Sequence, residues 1–290
     1  ILKALQVERS FKPDIVHVHW PIPNVLWALP FGGKKVLTFH NTELSLMKKL
    51  GKLGRVFVPL LKKADFFTFN STFTRDRFLQ IVGDLGKPYR IVPLPVGWTP
   101  EVRDTVKERG RVLFVGRLVY WKGGDILLRA AKILKEKGID LKVVFVGDGP
   151  ERERWMRLAE DLNVNAEFKG WLSGRELSEE YAKAWLLVLP SRSDPKVWTE
   201  SLGLVLVEAM MHGTPVIASR VGGPLDLIEE GKNGLFFEVE DYEDLALQME
   251  KILTDERLQR RMGEYGSAFS RHFTPEAIAR KFKGIYVEVL

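Results

Sequence analysis

The sequence contains no cysteine and only five histidines among its 290 residues. Without cysteine, the chain has no disulfide framework, no thiolate nucleophile and no thiolate metal site. The histidines are scattered, and none belongs to the His-Glu-x-x-His pattern of zinc enzymes. These patterns argue against a zinc site.

Long apolar runs are also missing. No window approaches the roughly 18 consecutive apolar residues of a membrane-spanning helix, and no charged-then-apolar leader opens the chain. Hydrophobic residues make up 45% and charged residues 28% of the sequence, which predicts a soluble, cytoplasmic globular protein. Few Asn and Gln beside many Lys, Arg and Glu indicate a thermophilic source.

Acidic residues are scarce in the first part of the chain. Residues 1–100 contain 15 Lys and Arg against 6 Asp and Glu, whereas residues 101–290 contain 29 against 32. Much of the basic excess lies in residues 44–63, where Pro59 divides an amphipathic pattern into two short helical pieces. On a helical wheel Lys48, Lys49, Lys52, Arg55, Lys62 and Lys63 share one side, opposite Met47, Leu50, Leu53, Phe57 and Leu61. This pattern has two interpretations, a surface that docks on anionic lipid or an anionic acceptor, and an ordinary solvated face. Nucleic acid is not an expected partner.

Apolar strand-like runs alternate with helical patterns along the whole chain, which predicts a doubly wound α/β fold. Four runs precede residue 100, at 14–20, 35–40, 65–70 and 89–94. Six follow it, at 111–116, 142–149, 166–170, 185–191, 214–219 and 234–239. Residues 95–110 have neither periodicity and contain two prolines, so we expect a linker there between two α/β domains.

The loop GRLVYWKGGD follows the strand at 111–116 and sets Arg117 and Lys122 just before a helix that Asp125 is expected to cap. Two cations beside a helix N-terminus suit a diphosphate, although a solvated basic loop would read the same way. The sequence has no GxxxxGK[ST] motif, and GDGPER at 147–152 does not complete a dinucleotide fingerprint. Kinase, ATPase and NAD-dependent functions are accordingly disfavoured.

The stretch TESLGLVLVEAM places Glu200 and Glu208 eight residues apart, after the strand at 185–191. We expect Glu200 in the loop and Glu208 two turns into a helix that runs to about His212. Amide groups of Gly203 to Val205 would then be free at the first turn. The two carboxylates could lie on either side of a bound nucleotide sugar. Alternatively, the Glu200 carboxylate could stabilise the N-terminus of the helix through the helix dipole, while the Glu208 side chain reaches the surface.

A pair of glycines, Gly222 and Gly223, follows the strand at 214–219. Such a pair fits a close approach of the backbone to a ligand, and it fits an ordinary tight turn between strand and helix equally well.

In order and spacing, these loops resemble the donor domain of the retaining glycosyltransferases of family 4, which have the GT-B fold. The resemblance covers about Arg111 to Val239 and includes GRLVYWKGGDILLRAA, VVFVGDGPERERW, FKGWL and ESLGLVLVEAMMHGTPVIASRVGGPLDLIEEGKNGLFF. FKPDIVHVHW, VLTFHNTE and IVPLPVG extend it into the first domain. The resemblance implies two doubly wound Rossmann-like domains that face each other across a cleft. Residues 1–98 would form the acceptor-side domain, residues 107–274 the donor-binding domain, and a C-terminal helix at 275–290 would cross back to the first. No strand with a glycine-rich loop is visible before Asp14, so we expect the first domain to be incomplete.

The resemblance also implies roles for individual residues. Arg117 and Lys122 would neutralise the donor's diphosphate, which other enzymes leave to a metal. Glu208 would bind the ribose and Glu200 the donor sugar near its anomeric carbon. Further donor contacts are implied for Gly116, Leu172 beside the base, His40 on the sugar, and the amides of Gly203, Leu204 and Val205. For His40, a strand-end histidine with only a structural role remains the alternative. The family commonly has Glu-Gly-Phe-Gly where this chain reads Glu-Ser-Leu-Gly, and Glu where it has Asp226.

The implied activity is transfer of a sugar from a UDP-, GDP- or ADP-sugar to a lipid, polysaccharide or small-molecule acceptor, with retention of anomeric configuration. It needs neither metal nor cofactor, and contact with the inner membrane surface through residues 44–63 would bring a lipid-linked acceptor within reach. The alternative is a noncatalytic or truncated nucleotide-sugar-binding module. A phosphorylase or epimerase is disfavoured because the sequence has no recognised pyridoxal-binding lysine motif.

Overall fold

The computed structural model describes residues 2–98, 100–102, 105–194 and 198–290, which form two compact units. One unit comprises Ile1–Pro95 and Pro275–Leu290, and the other comprises Val96–Thr274. All ten predicted strands form within these ranges. The two parallel sheets confirm the doubly wound α/β class. The predicted linker at 95–110 lies partly outside the described residues.

The first unit contains a four-stranded sheet in the order β1-β2-β3-β4, with every neighbouring pair parallel. Its strands are β1 (Ile15–His19), β2 (Lys34–Phe39), β3 (Phe66–Phe69) and β4 (Tyr89–Ile91). Its helices are α1 (Leu2–Phe11), α2 (Pro21–Ala28), α3 (Thr42–Leu50), α4 (Val58–Leu61), α5 (Thr72–Ile81) and, from the end of the chain, α12 (Pro275–Val289).

Apolar residues on both faces of this sheet are buried, as expected when helices cover both sides of a parallel sheet. Successive strand residues point to opposite faces, so Leu37 and Phe39 join one apolar cluster and Val36 joins another. The second cluster includes Ile278 and Ile285 of α12, both almost fully buried. The last helix of the chain is therefore part of the core of the first unit.

The amphipathic segment at 44–63 differs in part from its prediction. It forms α3, a 3₁₀ helix at Leu53–Phe57 and α4, so the predicted division into short pieces is confirmed. Met47 and Leu61 are buried, but Leu50 and Leu53 are 37% and 69% exposed, so the apolar residues do not form the single face opposite the basic residues that the wheel predicts. Gly51 ends α3 with φ of 56°. The chain changes direction there, so the residues before and after Gly51 do not lie on the one continuous helix that a helical wheel assumes.

The second unit contains a six-stranded parallel sheet in the order β10-β9-β8-β5-β6-β7. Its strands are β5 (Arg111–Val115), β6 (Lys142–Val146), β7 (Ala166–Phe168), β8 (Leu186–Leu189), β9 (Val216–Ser219) and β10 (Gly234–Phe237). Its helices are α6 (Gly124–Glu136), α7 (Arg152–Asp161), α8 (Gly174–Lys183), α9 (Leu204–Met211), α10 (Tyr242–Thr254) and α11 (Glu256–Ser270). The strand order reverses between β5 and β8, and this switch point is where such sheets bind ligands.

Helix α6 shows how local chemistry sets an element in this unit. It is strongly amphipathic, and its apolar side packs into the main core with β5, β6 and α10. Asp125 is not its N-cap as predicted: Gly123 has that position, and the Asp125 carboxylate accepts hydrogen bonds at 2.8 and 2.7 Å from the Arg192 guanidinium. The predicted stop is confirmed, since Gly138 follows the helix with φ of 79°. Across the described ranges, no helix is both long and apolar enough to cross a bilayer.

Candidate functional site

Most of the predicted donor residues of the second unit follow β5 and β8, the two strands on either side of the switch point. Gly116 and Arg117 leave β5, and a 3₁₀ helix at Tyr120–Lys122 leads from them into α6. The loop after β8 carries Glu200 and ends at α9. Because neighbouring parallel strands end at the same edge of the sheet, residues about 80 positions apart in sequence can meet there.

Lys122 and Glu200 do meet at this edge. The Lys122 ammonium forms an ion pair with the Glu200 carboxylate, and both side chains are largely buried. Ser191 Oγ donates a second hydrogen bond to Glu200, at 3.3 Å. Lys122 Nζ also lies 5.4 Å from the centre of the Trp198 ring, within the range of a cation–π contact. A buried cation is thus held at the switch point and is neutralised by one carboxylate.

Helix α9 begins beside this pair without a side-chain cap. Gly203 precedes it with φ of 85°, and no side chain accepts from its first amides. In the described part of the chain, the N–H groups of Gly203, Leu204 and Val205 have no hydrogen-bond acceptor. Uncapped amides and the helix dipole favour an anion at this point. The helix starts later than predicted, so Glu208 is its fifth residue and lies about one turn, not two, from its start.

The glycine pair holds the loop that carries Glu200. A Cβ atom on Gly222 would lie 2.2 Å from the carbonyl oxygen of Glu200, and one on Gly223 would lie 2.2 Å from that of Ser201. The Gly223 N–H donates to the Glu200 carbonyl at 2.9 Å. A close backbone approach is therefore the reason for both glycines, but the backbone they approach is the Glu200 loop rather than a ligand.

Glu208 has two partners that sequence reasoning did not identify. The Tyr181 hydroxyl donates to Glu208 Oε2 at 2.5 Å, and Trp98 Nε1 donates to Oε1 at 3.4 Å. Burial raises the pKa of Glu208, although both hydrogen bonds act in the opposite direction. Burial also raises the pKa of Tyr181 well above its ordinary value, so the hydroxyl keeps its proton and donates. The Glu208 side chain is consequently fixed rather than loose on the surface.

The remaining predicted donor residues are less constrained. Arg117 is exposed, and its guanidinium makes no hydrogen bond or ion pair with any residue that the structure describes. Leu172 is half-buried in the segment after β7. Part of the Glu200 loop, residues 195–197, lies outside the described residues. The ranges that are described contain no group of three or more His, Asp or Glu side chains that could hold a metal ion.

His40 belongs to the first unit, where it follows β2. It is 6% exposed, and its Nε2 lies 2.9 Å from Nδ1 of His19, at the end of β1. Its backbone N–H donates to Glu43 Oε1 at 2.7 Å. Burial, with the nearby His19, lowers the pKa of His40 to about 4, and burial raises the pKa of Glu43 to about 7. The spacing of His17 and His19 on one face of β1 was the available signal for this cluster.

Comparisons with known proteins agree with this geometry. Residues 100–269 match the family model described as glycosyl transferases group 1, and residues 1–97 match that of glycosyltransferase family 4. N-acetyl-alpha-D-glucosaminyl L-malate synthase of Bacillus anthracis is 28% identical over 99% of this chain and 78% of its own length. A GDP-mannose-dependent phosphatidylinositol monomannoside mannosyltransferase of Mycolicibacterium smegmatis is 32% identical over 70% of this chain and 56% of its own. The crystal structure of HepE from Anabaena in complex with UDP superposes with a TM-score of 0.83, at 20% identity, covering 99% of this chain and 81% of that one.

Two parallel Rossmann-like sheets and these matches define a glycosyltransferase of the GT-B fold. The chain belongs to the glycosyl transferases group 1 family, with a family 4 domain at its N-terminal end. The family resemblance seen in the sequence is confirmed.

The buried Glu43 carboxyl generates a prediction on pH and stability. Its folded pKa of about 7 lies above the ordinary value of 4.5, so folding favours the protonated form. Its stabilising contribution is complete below pH 4.5 and is lost as the pH rises through 7. That loss is absent in Glu43→Gln. As the pH rises over this range, the unfolding free energy of the variant should therefore increase relative to that of the wild type, by at most about 3 kcal/mol. Urea denaturation across this pH range measures the difference. A difference that stays constant with pH would contradict the assignment.

Proposed function

We propose that this glycosyltransferase takes its sugar from a nucleotide-diphosphate sugar that is bound by the second unit. The first unit, which includes the C-terminal helix, acts as the acceptor-side domain expected at residues 1–98, and the second unit acts as the donor-binding domain expected at 107–274. The meeting of Lys122, Glu200 and the uncapped start of α9 at the switch point carries this proposal. HepE from Anabaena, whose complex contains UDP, supports it through the shared fold.

The phosphates are assigned to the cations and amides of the site. Lys122 is largely buried against Glu200, in the loop that leads to the uncapped amides of Gly203, Leu204 and Val205, and Arg117 adds an exposed guanidinium next to Gly116. A diphosphate carries more negative charge than the single carboxylate that now pairs with Lys122. Charge-assisted hydrogen bonds from these groups stabilise the leaving nucleoside diphosphate in the transition state. The reaction therefore proceeds without a metal ion.

The sugar and nucleoside are assigned to the carboxylates. Glu208 accepts hydrogen bonds from the ribose hydroxyls while Tyr181 and Trp98 fix its position. Glu200 lies near the anomeric carbon and Leu172 lies beside the base. The bond from the anomeric carbon to the diphosphate breaks and a bond to an acceptor hydroxyl forms on the same face, with that hydroxyl's proton passing to the diphosphate. Configuration is retained.

Thermal shift with UDP-, GDP- and ADP-sugars tests the donor site. One nucleotide class should raise the melting temperature of the wild type, because binding to the folded state alone stabilises it. Glu208→Gln should weaken that nucleotide by about tenfold or more, because a charged hydrogen-bond acceptor is lost. Glu136→Gln, on an exposed part of α6, is the matched control and should leave the shift unchanged.

Either of two outcomes would contradict the donor assignment. One is that no nucleotide raises the melting temperature of the wild type, and the other is that Glu208→Gln shows the same shift as Glu136→Gln. The same samples, treated with EDTA and supplied with an acceptor, show whether a sugar is transferred without metal, and proton NMR of the product shows its anomeric configuration. Nucleotide binding without transfer or hydrolysis would identify a noncatalytic binding module instead.

We further propose that the segment at 44–63 docks on an anionic membrane surface and brings a lipid-linked acceptor to the first unit. Exposed apolar side chains lie among exposed basic ones there, and residues 44–63 contain no acidic residue. The apolar set is Leu46, Leu50, Leu53 and Val56. Basic side chains attract anionic lipid while apolar ones enter the interface. The M. smegmatis mannosyltransferase, whose name gives a phosphatidylinositol acceptor, supports a lipid-linked substrate.

Vesicle sedimentation tests this docking surface. The wild type should bind phosphatidylglycerol vesicles and not phosphatidylcholine vesicles. Lys49→Glu with Lys52→Glu should weaken binding more than about tenfold, because each basic side chain near an anionic surface contributes about 1 kcal/mol. Arg280→Glu with Lys283→Glu makes the same charge change on α12, which covers the other face of the sheet, and should bind normally. Equal loss in both double variants would show a net-charge effect and contradict a specific surface.

A further inference from the structure

The carboxyl ends of β1 and β2 in the first unit bring together three aromatic side chains. The rings of His19 and His40 stack at 5.2 Å between centroids, and the Trp20 ring lies 4.5 Å from His40 and 6.3 Å from His19. His40 is buried, whereas His19 is exposed and Trp20 is 50% exposed. The buried histidine therefore lies behind two side chains that solvent can reach.

The hydrogen bonds of His40 determine which proton His19 carries. Nε2 of His40 lies 2.9 Å from Nδ1 of His19, and Nδ1 of His40 is buried with no partner among the described residues. A buried N–H group without an acceptor is rarer and costlier than an unpaired acceptor. We therefore assign the His40 proton to Nε2, from which it is donated to Nδ1 of His19. Neutral His19 then has its proton on Nε2, for which the described structure records no acceptor.

Trp20 has an uncommon backbone conformation. Its φ is 49° and ψ is 67°, in the left-handed region, and Asn41 at the end of β2 has φ of 85°. Non-glycine residues in such conformations are strained and persist where the surroundings hold them. Part of the indole covers His40 and the rest is open. The electron-rich face of an indole attracts the positively polarised C–H hydrogens of a ring that lies against it.

We propose that Trp20 and His19 form a binding subsite for a hydroxylated ring, a sugar or a cyclitol, that is part of the acceptor. One C–H face of the ring packs on the open part of the Trp20 indole, and a ring hydroxyl accepts a hydrogen bond from Nε2 of His19. His40 is a positioning residue, because it orients His19 and sets its tautomer. The assignment of the ring to the acceptor rests on the proposed transferase function, whereas the binding of the ring does not.

Saturation-transfer NMR measures the subsite directly, with methyl α-D-mannopyranoside, methyl α-D-glucopyranoside and myo-inositol as probes. At least one probe should bind saturably to the wild type, with the millimolar affinity expected of a small, exposed site. Trp20→Ala should weaken that probe at least about tenfold. The control is Trp27→Ala, which removes another exposed tryptophan of the same unit and should bind like the wild type. Absence of saturable binding by all three probes, or equal effects of the two variants, would overturn the proposal.

Long-range proton–nitrogen NMR of the unmodified protein tests the role of His40, and it applies even if Trp20→Ala fails to fold. His19 should show a protonated Nε2 and an unprotonated Nδ1, and His40→Gln should change that tautomer balance while Trp27→Ala does not. A His19 proton on Nδ1 in the wild type would overturn the assignment. Measuring Glu208→Gln as well separates this proposal from that of the donor site. If the donor site is assigned wrongly, the sugar and inositol probes should still bind. If the subsite is assigned wrongly, the nucleotide should still raise the melting temperature.

Discussion

The ion pair between Lys122 and Glu200 joins the carboxyl ends of β5 and β8, and the proposed donor site depends on it. The strand order makes the pair possible, because β5 and β8 are neighbours in the sheet although they are far apart in sequence. Gly222 and Gly223 then seat the Glu200 loop by backbone contacts that leave no room for a side chain. Glu200 neutralises the Lys122 cation, so at the proposed donor site a diphosphate would bind by replacing this carboxylate as its partner.

The two units differ in the charge of the groups at the carboxyl ends of their strands. The second unit holds a buried cation and uncapped helix amides, which suit phosphate. Around β1 and β2 the first unit instead buries groups whose charged forms are disfavoured: burial and the neighbouring histidines lower the pKa of His17 and His40 to about 4, and burial raises the pKa of Glu43 to about 7. Neutral donors and acceptors beside an exposed indole suit hydroxyl groups rather than phosphate. The proposed charged donor and hydroxylated acceptor would thus be matched to different electrostatic environments within one chain.

The sequence predicted the fold well because strand runs and glycine or proline boundaries are local signals. The order of its loops indicated Arg117, Lys122, Glu200 and Glu208 as one site. It did not indicate that Lys122 pairs with Glu200, nor that Tyr181 and Trp98 hold Glu208, because such contacts depend on tertiary structure between distant residues. Leu50 and Leu53 were misplaced for a related reason, since a helical wheel assumes a continuous axis and Gly51 ends it.

Calorimetric titration of the nucleoside diphosphate and monophosphate of the class that stabilises the wild type, UDP and UMP where that class is uridine, tests the central claim, that Lys122 exchanges Glu200 for a diphosphate. Lys122→Met should remove most of the preference for UDP over UMP, because a charge-assisted contact contributes roughly 1.5–3 kcal/mol. Glu200→Gln should strengthen UDP, because the ammonium no longer leaves a carboxylate in order to bind phosphate. A UDP-to-UMP preference that neither variant changes would contradict the account.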